Sequence, residues 1–144
     1  MLVPVTVSAA RSAFALQNQE EQTMISHIHS TTISVADQDK ALDFYVATLG
    51  WEKADDAMFG EGMRWLTVAP PGATTQLVLA HESWSGKPAG NTGISLVAPD
   101  IDSTYVTLQA RGVRFKGPVE VMPWGTKATW FSDPDGNEFF LVER

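Results

Sequence analysis

Two stretches of this chain repeat one another. Asp37-Gln38-Asp39-Lys40 followed by Leu49-Gly50 is matched by Asp100-Ile101-Asp102-Ser103 followed by Arg111-Gly112, with the leading aspartates 63 residues apart and the closing glycines 62. In each copy the aspartate reads as a helix N-cap, its carboxylate accepting from a backbone N–H that has no partner inside the helix, and the glycine as the residue that ends the last turn. A unit of this size has too little apolar surface to cover a sheet alone. Two copies are therefore expected to set their sheets side by side, with both helices on one face.

Strands surround each helix. In the first copy Ile28–Val35 is dense in β-branched residues, and its Ser30, Thr32 and Ser34 parity is small and polar. A helix over Gln38–Thr48 puts Ala41, Leu42, Tyr45 and Leu49 at helical spacing. Strands at Trp51–Ala54, Arg64–Ala69 and Thr75–Ala80 follow, divided by Gly60-Glu61-Gly62 and Pro70-Pro71-Gly72. The second copy reads as strand Gly93–Ala98, a helix from Asp100 to Gly112, and strands Val113–Phe115, Lys127–Ser132 and Glu138–Glu143, with Val119–Met122 an edge strand or loop. Asp135-Gly136 supplies the turn between the last two strands.

The organisation expected is an N-terminal extension over 1–23 and one domain over 24–144: repeat one 25–80, linker 81–91, repeat two 92–144. In the extension Met1–Val7 is apolar but broken by Pro4, and Ala9–Gln22 suits a short helix. Ala13-Phe14-Ala15 has the form of a signal-peptidase site, yet the n-region carries no positive charge and Pro4 breaks the apolar run, which disfavours a secretory leader. An upstream start before Met24 and an arm that packs on the domain or on a second subunit both fit.

Composition narrows the chemistry. Cys is absent from the 144 residues, so thiol nucleophiles, disulfides and zinc-thiolate or iron-sulfur sites are excluded, and a reducing, cytoplasmic setting is expected. The net charge of -7 opposes binding to nucleic acid or an anionic membrane surface. No apolar run approaches the ~18 residues a membrane helix needs.

Val35-Ala36-Asp37, Ala41-Leu42-Asp43-Phe44-Tyr45, Leu49-Gly50-Trp51, Asp100-Ile101-Asp102, Arg111-Gly112-Val113, Trp124-Gly125 and Asp133-Pro134-Asp135-Gly136-Asn137 together give the chain from Ile25 to Arg144 a family likeness. It resembles the vicinal oxygen chelate superfamily, which holds glyoxalase I, extradiol dioxygenases, fosfomycin-resistance transferases and bleomycin-binding proteins. The resemblance implies an α+β fold in which two βαβββ repeats form a curled mixed-sheet cup, with helices on its outer face and a small molecule inside. It also implies a homodimer.

Enzymes of that family hold a divalent metal with His, Gln or Glu at four places, since such ligands suit ions that polarise a substrate oxygen. The corresponding residues here are Ser30, its repeat equivalent Gly93, Gln76 and Phe140. One amide among these cannot hold a metal, so no cofactor is expected. His29 sits beside the first position. Its parity is the helix-facing or edge side, and a register slipped by one residue would turn it into the cup while exposing Ile33 and Val35 to the same side. That slip defines the alternative reading, a metal-dependent lyase or dioxygenase using His29 with Gln76 and Glu82 or Glu138. His81 reads as an exposed loop residue and Glu138 as a solvated one beside the turn.

The residues expected to touch a ligand are Ser30, Thr32, Trp65, Gln76, Ser95, Trp124 and Phe140, with Trp130 close by. Indole and phenyl faces bind planar or apolar molecules, and the hydroxyl and amide groups orient them. Asp37, Asp39, Asp100 and Asp102 are read as helix caps and first-turn charges rather than a catalytic carboxylate pair. The leading expectation is a metal-independent small-molecule-binding protein with an apolar or aromatic ligand; a third reading is sequestration of a drug. Whether the chain catalyses a reaction is left open by the sequence.

Overall fold

Both aspartates cap helices. Asp37 Oδ1 accepts from Lys40 N at 3.0 Å, and Asp100 Oδ1 accepts from Ser103 N at 3.2 Å. The structure, a computed structural model, describes residues 23–144, so the features expected before Thr23 lie outside the described residues. In chain order the elements are β1 (Ser30–Val35), α1 (Gln38–Asp43), β2 (Glu52–Phe59), β3 (Met63–Ala69), β4 (Gln76–His81), β5 (Asn91–Ala98), α2 (Ile101–Ala110), β6 (Arg114–Phe115), β7 (Glu120–Val121), β8 (Lys127–Ser132) and β9 (Glu138–Glu143).

The repeat holds at the level of topology. One sheet has the order β1-β4-β3-β2 and the other β5-β9-β8-β6, with β7 added on β8. In each, the first strand runs parallel to the last and the rest are antiparallel, which makes both sheets mixed. Their helix-side faces meet in one core, where Ile33, Val35, Leu77 and Leu79 of the first repeat join Phe131, Phe139 and Leu141 of the second around Tyr45 and Ile101.

Two elements depart from expectation for physical reasons. The first helix leaves α geometry after Asp43 and continues as a π-helical turn over Phe44–Thr48, in which Leu49 N donates to Phe44 O at 3.0 Å. Such widened turns re-aim the side chains they carry. This one holds the fully buried Tyr45. Strand β2 runs on to Phe59, five residues past the expected end at Ala54. All eight of its residues are exposed, so no alternation marks it in the sequence. Backbone pairing with β3 defines it instead, through a bulge between Lys53 and Asp56 where Asp55 N donates to Thr67 Oγ1 at 2.9 Å. Arg64 of β3 grips Asp56 with two N–H groups at 2.8 and 2.9 Å and reaches Asp39 in α1 at 2.7 Å.

The Asp133-Pro134-Asp135-Gly136-Asn137 connection joins the repeats. Asp133 is 2% exposed and collects hydrogen bonds from Tyr45 Oη at 2.7 Å, Asn137 Nδ2 at 3.0 Å and the backbone N–H groups of Asp135 and Asn137. Asn137 Nδ2 also donates to Ser34 O at 2.9 Å, and Ala36 N donates to Asp135 Oδ1 at 2.9 Å. Gly136, at φ 88°, takes the left-handed backbone this connection needs.

Candidate functional site

Register decides which side chains share a face. In β1 and β4 the pairs Ser30↔Gln76 and Thr32↔Val78 put Ser30, Thr32 and Gln76 on the side away from the helices. Thr67 pairs with Val78, so Trp65, two residues earlier on β3, is on that side too. The linker crosses the far end of this face, where Ser85 Oγ donates to Ser34 Oγ at 2.9 Å. The end left open carries the half-buried Ser30, Thr32 and Gln76.

In the second sheet Ser95 pairs with Phe140, and Phe140 with Trp130. The Trp130 and Phe140 rings lie 4.9 Å apart at 50°, forming a tilted aromatic pair on the helix-free side. Lys116 closes one edge of it. Its Nζ stands 5.8 Å from the Trp130 ring centre and is ion-paired with Glu138 Oε2. That oxygen is buried, which corrects the expectation of a solvated Glu138.

A cavity of about 300 Å³ opens at the seam between the free edges of β1 and β5, lined by Thr31, Trp51, Gln76, Leu77, Ser95 and Phe139 among others. It brings together Gln76 and Ser95, two expected ligand residues from different repeats, and Gln76 Oε1 is buried without a hydrogen-bond partner among the described residues. Ser95 is common to the cavity and the aromatic face. The volume lies at the small end of ligand pockets, and the lining has the usual form, apolar with a few convergent polar groups.

Not every expected residue joins this arrangement. Trp124, 66% exposed in the connection from β7 to β8, stands outside the cavity lining. His29 precedes β1, is exposed and lies outside the cavity lining, its backbone oxygen accepting from Gln76 N at 2.8 Å. His81 is the half-buried last residue of β4, not a loop residue; its Nδ1 accepts from Ser83 N at 3.1 Å. Lys116 escaped the sequence reading because the expected strand ended at Phe115. Its alternation with Arg114 around the inward Phe115 is the signal that could have found it.

The metal positions of the resembling enzymes hold a serine, an amide and a phenyl ring here, with Gly93 at φ 70° in a β5 bulge offering no side chain. Among the described residues no three His, Asp or Glu side chains come together in a way that could hold a metal ion. The donor set does not fit a metal centre.

Comparison with known proteins shows the family of this fold. The profile of the Glyoxalase/Bleomycin resistance protein/Dioxygenase superfamily matches residues 27–141. A solved member of that superfamily from Sphaerobacter thermophilus is 60% identical, with a TM-score of 0.81 over 84% of this chain and 99% of its own. TnmS3, an antibiotic binding protein from Streptomyces sp. CB03234, is 40% identical, with a TM-score of 0.73 over 85% of this chain and 98% of its own. The protein YetH of Bacillus subtilis is 37% identical over 121 residues, which is 83% of this chain and all of YetH.

Proposed function

The chain belongs to the Glyoxalase/Bleomycin resistance protein/Dioxygenase superfamily, and on that premise we propose that it is a small-molecule-binding protein that takes an apolar or aromatic ligand without a metal. The observation that carries this reading is the replacement of a metal-ligand set by Ser30, Gln76 and Phe140 beside an aromatic pair and an apolar cavity. An indole and a phenyl ring contribute large apolar area with few rotatable bonds, so a planar molecule gains contact at low entropic cost. Gln76, Ser95, Ser30 and Thr32 supply the polar groups that fix its orientation. Trp65 and Trp124 belong to the same proposal as outer contacts.

Calorimetric titration with Ni, Zn, Mn and Fe(II) is expected to give no stoichiometric micromolar binding. Tryptophan fluorescence should change saturably with members of a planar aromatic panel. Tight one-to-one metal binding would overturn the reading, as would a flat response across the panel.

A second reading, sequestration of a drug, is favoured by the likeness to TnmS3. It calls for saturable binding of a planar aromatic antibiotic, its recovery unchanged by chromatography, and protection of a sensitive host that expresses the chain. We also propose a cytoplasmic homodimer. The exposed Met58 and Phe59 on β2 and Val97 on β5 offer apolar surface for a second copy. No described helix is long and apolar enough to cross a membrane.

A further inference from the structure

We propose that Lys116, positioned by Glu138 at the edge of the Trp130–Phe140 pair, selects planar aromatic ligands that carry an oxygen acceptor, such as a ring carbonyl, over hydrocarbons of the same shape. The inference rests on the aromatic-ligand reading above and adds to it the chemical class of the ligand.

Four side chains meet at this place. Trp130 and Phe140 form the surface, Lys116 Nζ overhangs the indole at 5.8 Å, and Glu138 Oε2 is paired with Lys116. Burial differs sharply within the ion pair: the Lys116 side chain is 63% exposed and that of Glu138 is 24% exposed. The carboxylate is therefore the fixed member and the ammonium the one that faces incoming molecules. An ammonium has three N–H donors and no acceptor. Glu138 Oε2 lies against it as an ion-pair partner, and the 63% exposure of the Lys116 side chain leaves donors open to an incoming molecule.

A flat molecule laid on Trp130 strips water from those donors. If its edge carries a carbonyl oxygen, the lost hydrogen bonds to water are replaced by a charge-assisted one. If its edge is all C–H, a desolvated donor on a charged group is left unpaired, and leaving such a donor unmade costs far more than making an average bond gains. Glu138 already balances the charge of Lys116, so the site has no need of an anionic ligand. A neutral carbonyl suffices.

Fluorene and 9-fluorenone, flat and neutral, differ by one oxygen, and equilibrium dialysis at low micromolar concentration measures both. The intact protein should bind 9-fluorenone about tenfold tighter than fluorene, as one charge-assisted bond allows. Lys116→Met keeps the apolar stem and removes the donors, and should bring the ratio near one, while Lys116→Arg should retain the preference. A ratio near one in the intact protein, or one unchanged in Lys116→Met, overturns the selection by Lys116 and leaves the aromatic-ligand reading standing. Failure of the intact protein to bind either probe overturns both.

Discussion

Tyr45 donates its hydroxyl to Asp133 at 2.7 Å, a contact between residues 88 positions apart that ties the π-helical turn of the first repeat to the β8–β9 connection of the second. Asp133 accepts three further donors, all from its own connection. Tyr45→Phe removes one charge-assisted bond and leaves the rest, so urea denaturation should show a loss of about 1.5–3 kcal/mol. Asp133→Ala orphans a buried hydroxyl and two backbone N–H groups and removes one of the two partners of the Asn137 amide, and should cost more than about 3 kcal/mol. Equal effects from the two would show that Asp133 is not the hub.

The same contact sets an alkaline limit. Burial pushes the Tyr45 hydroxyl well above its ordinary value of 10, and the neighbouring Asp133 and Asp135 carboxylates push the same way. The folded state keeps this proton where the unfolded chain releases it. The contribution is full below pH 10 and is lost as pH climbs past that value toward the folded pKa. Denaturation midpoints at pH 8, 10 and 11 should fall steeply at the last step, and less so in Tyr45→Phe. Parallel decline in the two proteins would point to other groups.

At acid pH the relevant group is on the β2–β3 ribbon. Hydrogen bonds from Arg64 hold the Asp56 carboxyl at about 2, below its ordinary 3.8. A depressed carboxylate stabilises the fold above the unfolded value, and that share is lost as pH falls from 3.8 through about 2. Asp56→Asn should therefore give a shallower acid decline over this interval. The pair is at the surface, so the difference should shrink in high salt.

Legibility in the sequence follows burial. Strands β8 and β9 have the residues expected of them, Lys127–Ser132 and Glu138–Glu143, because their apolar spacing is bounded by an unambiguous turn. The caps at Asp37 and Asp100 were equally plain, since one local hydrogen bond makes each. Strand β2 past Ala54 was not, because backbone pairing alone specifies it and no buried face writes a pattern. The contacts of Tyr45 with Asp133 and of Asn137 with Ser34 were invisible for another reason: the two partners belong to different repeats, and only the packed core brings them together. On the helix-free faces, parity found Ser30, Gln76, Ser95 and Phe140, yet gave no sign that Lys116 and Glu138 pair across strands.

His29 offers a direct check on the register. It is exposed just before β1 and lies outside the cavity lining, so His29→Ala should leave metal content, ligand affinity and stability unchanged within about twofold in any equilibrium constant. Loss of bound metal and turnover in this variant would require β1 to sit one residue out of the register with β4 described here.

Two neighbouring aromatic pairs set the core apart from the proposed ligand surface. Phe131 and Phe139 stack at 5.4 Å and 25° on the helix side of the second sheet, and both are buried in the shared core. Trp130 and Phe140 are adjacent in sequence to these two but face the other way, and are only half-buried. Alternation along β8 and β9 thus turns consecutive residues to opposite faces. Phe131→Leu should lower stability by about 1–3 kcal/mol through imperfect refilling of the core, with ligand affinity kept in the folded fraction. Trp130→Leu should do the reverse, weakening binding of a planar aromatic probe at least tenfold, by about 1.4 kcal/mol, while the denaturation midpoint moves little. Should Trp130→Leu unfold the protein as readily as Phe131→Leu, the indole is core rather than ligand surface and the site must be sought in the seam cavity alone.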